Sequence, residues 1–243
     1  MTQKKSLKTI RVALTFAAII GAALMTSSKL VRAHDGEGGE DGEKARVHRG
    51  LAIAPVHLNL EGKDQNLVGL GSYWVNAVAD CNGCHSAGPP TEYIVPTGNP
   101  YFLLPPFTGK TQIDPATYLG GGRDFGPFPG APAPSIPHLY SRNLTPDKSG
   151  LPEGGHTFEQ FRQIMRHGTD FDQLHPSCTN GPDNPPNCLV APFNGEVLQV
   201  MPWPTFQNMT DHDLRAIYEY LKAVPCNPGP GIEGAPYLQN ACD

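Results

Sequence analysis

Basic charge is scarce beyond residue 33, and that scarcity narrows what the chain can bind. Of 18 Lys and Arg, six (Lys4, Lys5, Lys8, Arg11, Lys29 and Arg32) fall in the first 33 residues, where no acid occurs. The other 210 residues hold 12 basic and 23 acidic side chains, a net charge of −11. A sequence-independent nucleic-acid binder draws its affinity from Lys and Arg on phosphates, so this balance speaks against one. Apolar residues are sparse as well, at 39% of the chain. A core spread over about 200 residues is then thin and calls for support from a cofactor or disulfides. No internal repeat is present. What abounds instead is Gly (27) and Pro (26), together nearly twice the roughly 12% of ordinary globular chains, which excludes long helices and wide sheets from much of the sequence.

The amino terminus reads as an export signal. Four cations precede an apolar run from Val12 to Met25, fourteen residues, the length of a signal-peptide core and short for a bilayer span. Val31 and Ala33 occupy the small-residue positions before a cut, which assigns residues 1–33 to the signal. The competing reading is an uncleaved anchor, favoured by the basic flank Lys29-Leu30-Val31-Arg32. Either way the bulk of the chain is expected outside the cytoplasm, periplasmic or otherwise exported, with no membrane span once the signal is removed. In that oxidising setting disulfides are permitted. Residues 34–47 (HDGEGGEDGEKARV) are acidic, glycine-rich and aperiodic, and are expected to be disordered. An amino-terminal His34 has the chemistry to chelate copper, but no second His lies near it.

Residues 48–243 then form one expected domain, mainly α. Residues 66–80 place Leu67, Leu70, Trp74, Val75 and Val78 at helical spacing. Residues 157–167 open on Thr157 with Gln160 three positions on, a capping box, and stop at Gly168. A third helix opens on Thr210 with Asp213 at the third position, carries Leu214, Ile217, Tyr218 and Leu221 as its apolar stripe, and ends before Pro225. Residues 86–140 contain 12 Pro and 8 Gly, which forbids a second helical domain. Tyr93, Phe102, Leu103, Leu104, Phe107, Tyr118, Phe125 and Phe128 make that stretch too apolar for a free linker, so an ordered, wrapped loop is expected.

The first helix runs into Cys81-Asn82-Gly83-Cys84-His85, the C-x-x-C-H pattern of c-type haem attachment. Two thiols at i and i+3 on one turn can bond to the two vinyl groups of one porphyrin, and the following imidazole then meets the iron. Covalent attachment suits an exported protein, which would otherwise lose its cofactor to solvent. The alternatives are a zinc site, which wants a second Cys or His pair that the chain lacks, a thioredoxin-like dithiol, which wants a surrounding βαβ unit, and a structural disulfide. One motif implies one haem c and one iron. For the other face of the iron Met201 is the candidate, because Pro202 in VMPWP keeps it out of helix and free to reach inward. A gap-filling role for Met201 and a His ligand such as His175 stay open. Met165 is assigned to the core and Met209 to a hydrophobic staple. Four cysteines remain. They permit three pairings, and proximity favours Cys178–Cys188 and Cys226–Cys242.

In CNGCH, in Asn143-Leu144-Thr145-Pro146-Asp147 ahead of the FEQFRQIMRHG helix, and in MPWP followed by MTDHDLRAIYEYLKAV, the chain resembles monohaem class I cytochromes c. It is more similar still to the cytochrome c modules of periplasmic alcohol and sugar dehydrogenase complexes. That resemblance implies thioethers at Cys81 and Cys84, His85 as proximal and Met201 as distal ligand, and first and last helices crossing near Gly71, Tyr73 and Tyr218. It also marks 86–140 and 170–199 as inserted loops, leaving open whether Pro89, Pro90 or another residue supplies the carbonyl for the proximal imidazole. A disulfide-closed tail completes the expected domain. The implied function is one-electron transfer between exported redox partners, with no catalytic residue. The alternatives are a cytochrome subunit fixed in a dehydrogenase or oxidase assembly, and a haem enzyme or sensor with an open sixth position.

Overall fold

A computed structural model describes residues 40–94, 112–130, 137–233 and 235–243. The expected signal at 1–33 lies outside the described residues, as do 34–39. The chain divides into a unit of residues 1–45, described only from Glu40, and a unit of residues 46–243 that holds the features below.

Helix α1 spans Glu40–Ile53, so the expectation of disorder over 34–47 is corrected from Glu40 onward. The apolar side chains that anchor it begin where that stretch ends. Val47 is buried with Leu70 and Ala216, and Leu51, one turn on, packs against the same cluster. Gly50 brings its backbone onto the next helix: a Cβ there would lie 1.9 Å from the Gly69 carbonyl oxygen. A helix with little apolar surface of its own is thus held by close backbone approach.

Helix α2 spans Gln65–Tyr73 and continues as a π-helical segment, Trp74–Val78. Asp64 caps it, its Oδ1 accepting from the amides of Asn66 (2.9 Å) and Leu67 (3.4 Å). Two short helices follow, α3 (Cys81–His85) and α4 (Pro89–Glu92). Strands β1 (Asp124–Pro127) and β2 (His138–Tyr140) pair antiparallel. Helix α5 (Phe158–His167) has the capping box of Thr157 and Gln160 and the left-handed Gly168 (φ 68°) at its end. After α6 (Trp203–Phe206), helix α7 (Asp211–Leu221) is capped by Thr210, whose Oγ1 accepts from the Asp213 amide at 3.1 Å.

Helices α2 and α7 cross at Gly71, where a Cβ would lie 1.9 Å from the Ala216 carbonyl oxygen and 2.7 Å from Tyr220 Cβ. The expected participation of Tyr218 is corrected. Tyr218 turns away to α5, with ring centroids 5.5 Å from Phe158 and 5.6 Å from Phe161. Residues two apart on a helix point to nearly opposite faces, so it is Tyr220 that meets Gly71. The Tyr118 hydroxyl donates to Asn76 Oδ1 at 2.5 Å and lies 2.7 Å from the Tyr220 hydroxyl. Tyr118 and Leu119 are buried in the main core with Val75, Phe161, Leu214 and Leu221. Within 86–140, Tyr118 and Leu119 thus pack onto the helices, while Phe102, Leu103, Leu104 and Phe107 lie outside the described residues.

Candidate haem-binding site

Helix α3 presents Cys81 and Cys84 on one turn with His85 at its end. Its geometry starts at Asp80, which takes left-handed φ and ψ of 47° and 46° and turns the chain out of the preceding helix. The segment 119–123 then clamps it. Leu119 N donates to Asn82 Oδ1 at 2.9 Å, Arg123 Nη1 to the Gly83 carbonyl at 2.5 Å, and Gly121 N to the His85 carbonyl at 2.9 Å. Gly121 has φ 75°, and a Cβ there would sit 2.6 Å from the Arg142 carbonyl carbon. Glycine is required because the loop threads between α3 and the irregular segment that follows β2.

His85 Nδ1 lies 2.8 Å from the Arg142 carbonyl oxygen. A carbonyl only accepts, so Nδ1 carries the proton and Nε2 keeps the lone pair a metal needs. Burial pushes the basicity of His85 down and the charge of Arg142 does the same, against the opposing effect of the carbonyl bond. The imidazole is thereby kept neutral, as ligation demands. The carbonyl left open by the sequence is neither Pro89 nor Pro90 but Arg142, 57 residues downstream of His85.

A side-chain network aims that carbonyl. Asn143 Oδ1 accepts from Thr145 N (3.0 Å) and Oγ1 (2.7 Å), Asn143 Nδ2 donates to the Asn227 carbonyl (2.9 Å), and Asn240 Nδ2 to the Thr145 carbonyl (2.8 Å). Asn227 and Asn240 belong to the tail closed by Cys226–Cys242, with Cα atoms 5.6 Å apart. The Cys178–Cys188 bridge also forms, with Cα atoms 4.9 Å apart. Both pairings agree with the local closure read from the sequence. Replacing Cys226 and Cys242 together by Ser should lower unfolding stability by about 3 kcal/mol, the loop-entropy value for closures of this size. Urea unfolding checks this, and an unchanged midpoint would contradict it.

Cys81, Cys84, His85 and Met201 all line one cleft, whose space of about 1330 Å³ includes the solvent at its open mouth. Val75, Leu144, Phe161, Met165, Ile217 and Leu221 make the inner wall; Leu174, Leu189 and residues 197–199 face it from the stretch 170–199, and residues 200–202 from the segment after it. Trp203 fixes the Met201 segment. Its indole packs where a Cβ on Gly168 would lie, 2.3 Å from Nε1, and Nε1 donates to the Leu198 carbonyl at 3.1 Å. Met165 is buried in the core as expected while also facing the cleft, and Met209 packs beside the core away from it. His175 lines the cleft too, its Nδ1 3.1 Å from the Asn187 carbonyl oxygen.

The donor set fits a c-type haem: two thiols one turn apart, a neutral imidazole with a free nitrogen, and a thioether sulfur in the same apolar cleft. The rival readings fare worse. Burial pushes the Cys81 thiol up to about 12, with Asp80 and Cys84 adding to the effect. A thioredoxin-like site needs the opposite, a thiolate. Among the described residues no group of three or more His, Cys, Asp or Glu is placed to hold a metal ion.

Three contributing residues escaped the sequence reading: Arg142, through its carbonyl, and Glu153 and Asp170, which line the cleft. Nothing local marks them, because their roles come from pairing across the fold.

Sequence comparison gives relatives of one kind. The chain is 31% identical over 105 residues, 41% of its length and 16% of the relative's, to the fructose dehydrogenase cytochrome subunit of Gluconobacter japonicus. It is 27% identical over 161 residues, 65% of its length and 22% of the relative's, to the cytochrome c subunit of the quinone alcohol dehydrogenase of Gluconacetobacter polyoxogenes. It is 28% identical over 92 residues, 37% of its length and 15% of the relative's, to the gluconate 2-dehydrogenase cytochrome c subunit of Pantoea cypripedii. The matched region thus spans about a sixth to a fifth of these relatives. No family model and no solved structure matches the chain. Together with the CNGCH, NLTPD and MPWP motifs, these relatives show that the chain resembles the cytochrome c modules of alcohol and sugar dehydrogenase complexes.

Proposed function

We propose that this chain is an exported electron carrier of the class I cytochrome c type, holding one covalent haem c and passing single electrons between extracytoplasmic redox partners. The observation that carries this reading is the convergence of Cys81, Cys84, His85 and Met201 on one apolar cleft, with His85 Nδ1 held by the Arg142 carbonyl. A haem supplies the one-electron iron couple. The chain's own residues would hold it: Cys81 and Cys84 as thioether anchors, His85 through Nε2 and Met201 through its sulfur, with the apolar walls of the cleft excluding water. Ligation by both His85 and Met201 would leave no open position for a substrate, as a carrier requires. A dehydrogenase as partner, with this chain as its cytochrome subunit, is favoured by the relatives and is tested by copurification from the native host. Among the described residues no helix is long and apolar enough to cross a membrane.

Met201→Ala tests the assignment. The wild-type ferric protein should show the weak far-red band of methionine ligation, and the ferrous protein should exclude CO. The variant should lose the band, bind CO and have a lower potential, because loss of the neutral thioether removes the ligand that favours ferrous iron. A band that persists points to another methionine. CO binding by the wild type would instead support the open-site reading, a haem enzyme or sensor, and a bis-imidazole spectrum would point to His175.

A further inference from the structure

Beside the proximal ligand's carbonyl, one wall of the cleft holds more negative than positive side chains away from water. Glu153 lines this wall and is 5% exposed. Its backbone adopts a left-handed conformation, φ 52°, between Pro152 and two glycines, a geometry that non-glycine residues seldom take. Its Oε2 is buried with no hydrogen-bond partner.

The groups facing it come from three segments. His156 lies in the same turn, Arg142 in the irregular segment after β2, and Asp170 beyond the end of α5. Arg142 does not satisfy Glu153. Its Nη2 donates to Asp170 Oδ1 at 2.5 Å and its Nη1 to Asp172 Oδ2. His175 completes the surroundings, feeling both Asp170 and Arg142. One guanidinium thus already serves two carboxylates, and a third, dry and unbonded, is costly to ionise. Burial and Asp170 raise the proton affinity of Glu153, while Arg142 and His156 lower it.

We infer that Glu153 is a redox-linked proton site of the cleft: it takes up one proton from solvent as the haem accepts one electron from its redox-protein donor, and returns that proton on oxidation. This rests on the electron-carrier reading above. The balance is one electron to iron and one O–H bond formed at a carboxylate oxygen of Glu153, with no other bond made or broken. The sign follows from charge. Ferric iron carries one more positive charge and favours the carboxylate; ferrous iron favours the acid. The reduction potential therefore falls as pH rises between the two proton affinities of Glu153 and is flat on either side.

The test is spectroelectrochemical titration of the mature, haem-loaded chain from acidic to mildly alkaline pH, with proton release on oxidation followed by an indicator dye in weakly buffered solution. The wild type should show a sloping interval and release protons there. Glu153→Gln, nearly the same shape, should flatten that interval and abolish the release. Asp170→Asn should move the slope to lower pH, since it removes a charge that holds the proton and frees an Arg142 donor for Glu153; it reads the same group if the Gln variant fails to mature. A slope retained in Glu153→Gln, as titrating haem propionates or His156 would give, overturns the assignment, as does a wild-type potential independent of pH. A wild type with no reversible one-electron couple would instead defeat the carrier reading itself.

Discussion

Replacing Cys81 and Cys84 together by Ser should give an exported chain with no covalently held haem. Denaturing acid-acetone should leave the colour with the wild-type polypeptide and carry any residual colour of the double variant into the organic layer. The reason is chemical: a Ser hydroxyl at either position does not form the thioether that sulfur forms with a vinyl group. Each single change leaves the other thiol in place and should give one thioether, visible as a shifted absorption band. His85→Ala should cripple maturation, because it removes the imidazole, held on the Arg142 carbonyl, that the proposed site would offer to the iron. Free haem released from the wild type would contradict the attachment. The effect should extend to stability, since the cleft walls are core residues: Val75, Phe161, Met165, Ile217 and Leu221 belong both to the cleft and to the main apolar cluster. Without the group they enclose, these side chains lose their packing on one side.

Gly71→Leu should prevent folding or reduce it to a loosely packed state that does not mature. The atoms a side chain would meet there are backbone: the Ala216 carbonyl oxygen at 1.9 Å and its carbon at 2.5 Å from the first added carbon. No rotamer relieves a clash at Cβ, so helices α2 and α7 must separate. Overpacking commonly costs about 1–3 kcal/mol where side chains can shift, and here they cannot. The loss should exceed that range, against a total stability of about 5–15 kcal/mol for a domain. Far-ultraviolet circular dichroism with urea unfolding is the check. Gly62→Leu is a useful contrast, because nothing lies within 4 Å of a Cβ at that position, although its φ of 68° adds local strain. A Gly71→Leu protein with a midpoint near that of wild type would show that the crossing is slack.

The features legible in sequence share one property: each is decided by residues close together in the chain. Thr157 and Gln160 cap α5 because three positions separate them, and Gly168 ends it because glycine tolerates left-handed φ. The two disulfides close over separations of 10 and 16 residues, short enough for proximity to select them. The expectation of disorder fails over residues 40–47 for the same reason. Its composition is that of a solvated tail, and only the approach of Gly50 to Gly69 reveals a helix anchored from its C-terminal half. Tyr218 and Tyr220 were indistinguishable as partners for Gly71 until the rotation of α7 about its axis was known.

The C-x-x-C-H pattern and the mainly helical class were thus readable from the chain alone, because spacing along one turn and apolar periodicity are local quantities. The wiring of the site was decided by the tertiary structure. Arg142 meets His85 across 57 residues, Trp203 seats the Met201 segment against Gly168, and Glu153 shares a dry wall with Arg142 and Asp170. A backbone carbonyl has no sequence signature, and a carboxylate acquires an unusual proton affinity only from what burial removes and what other segments bring near.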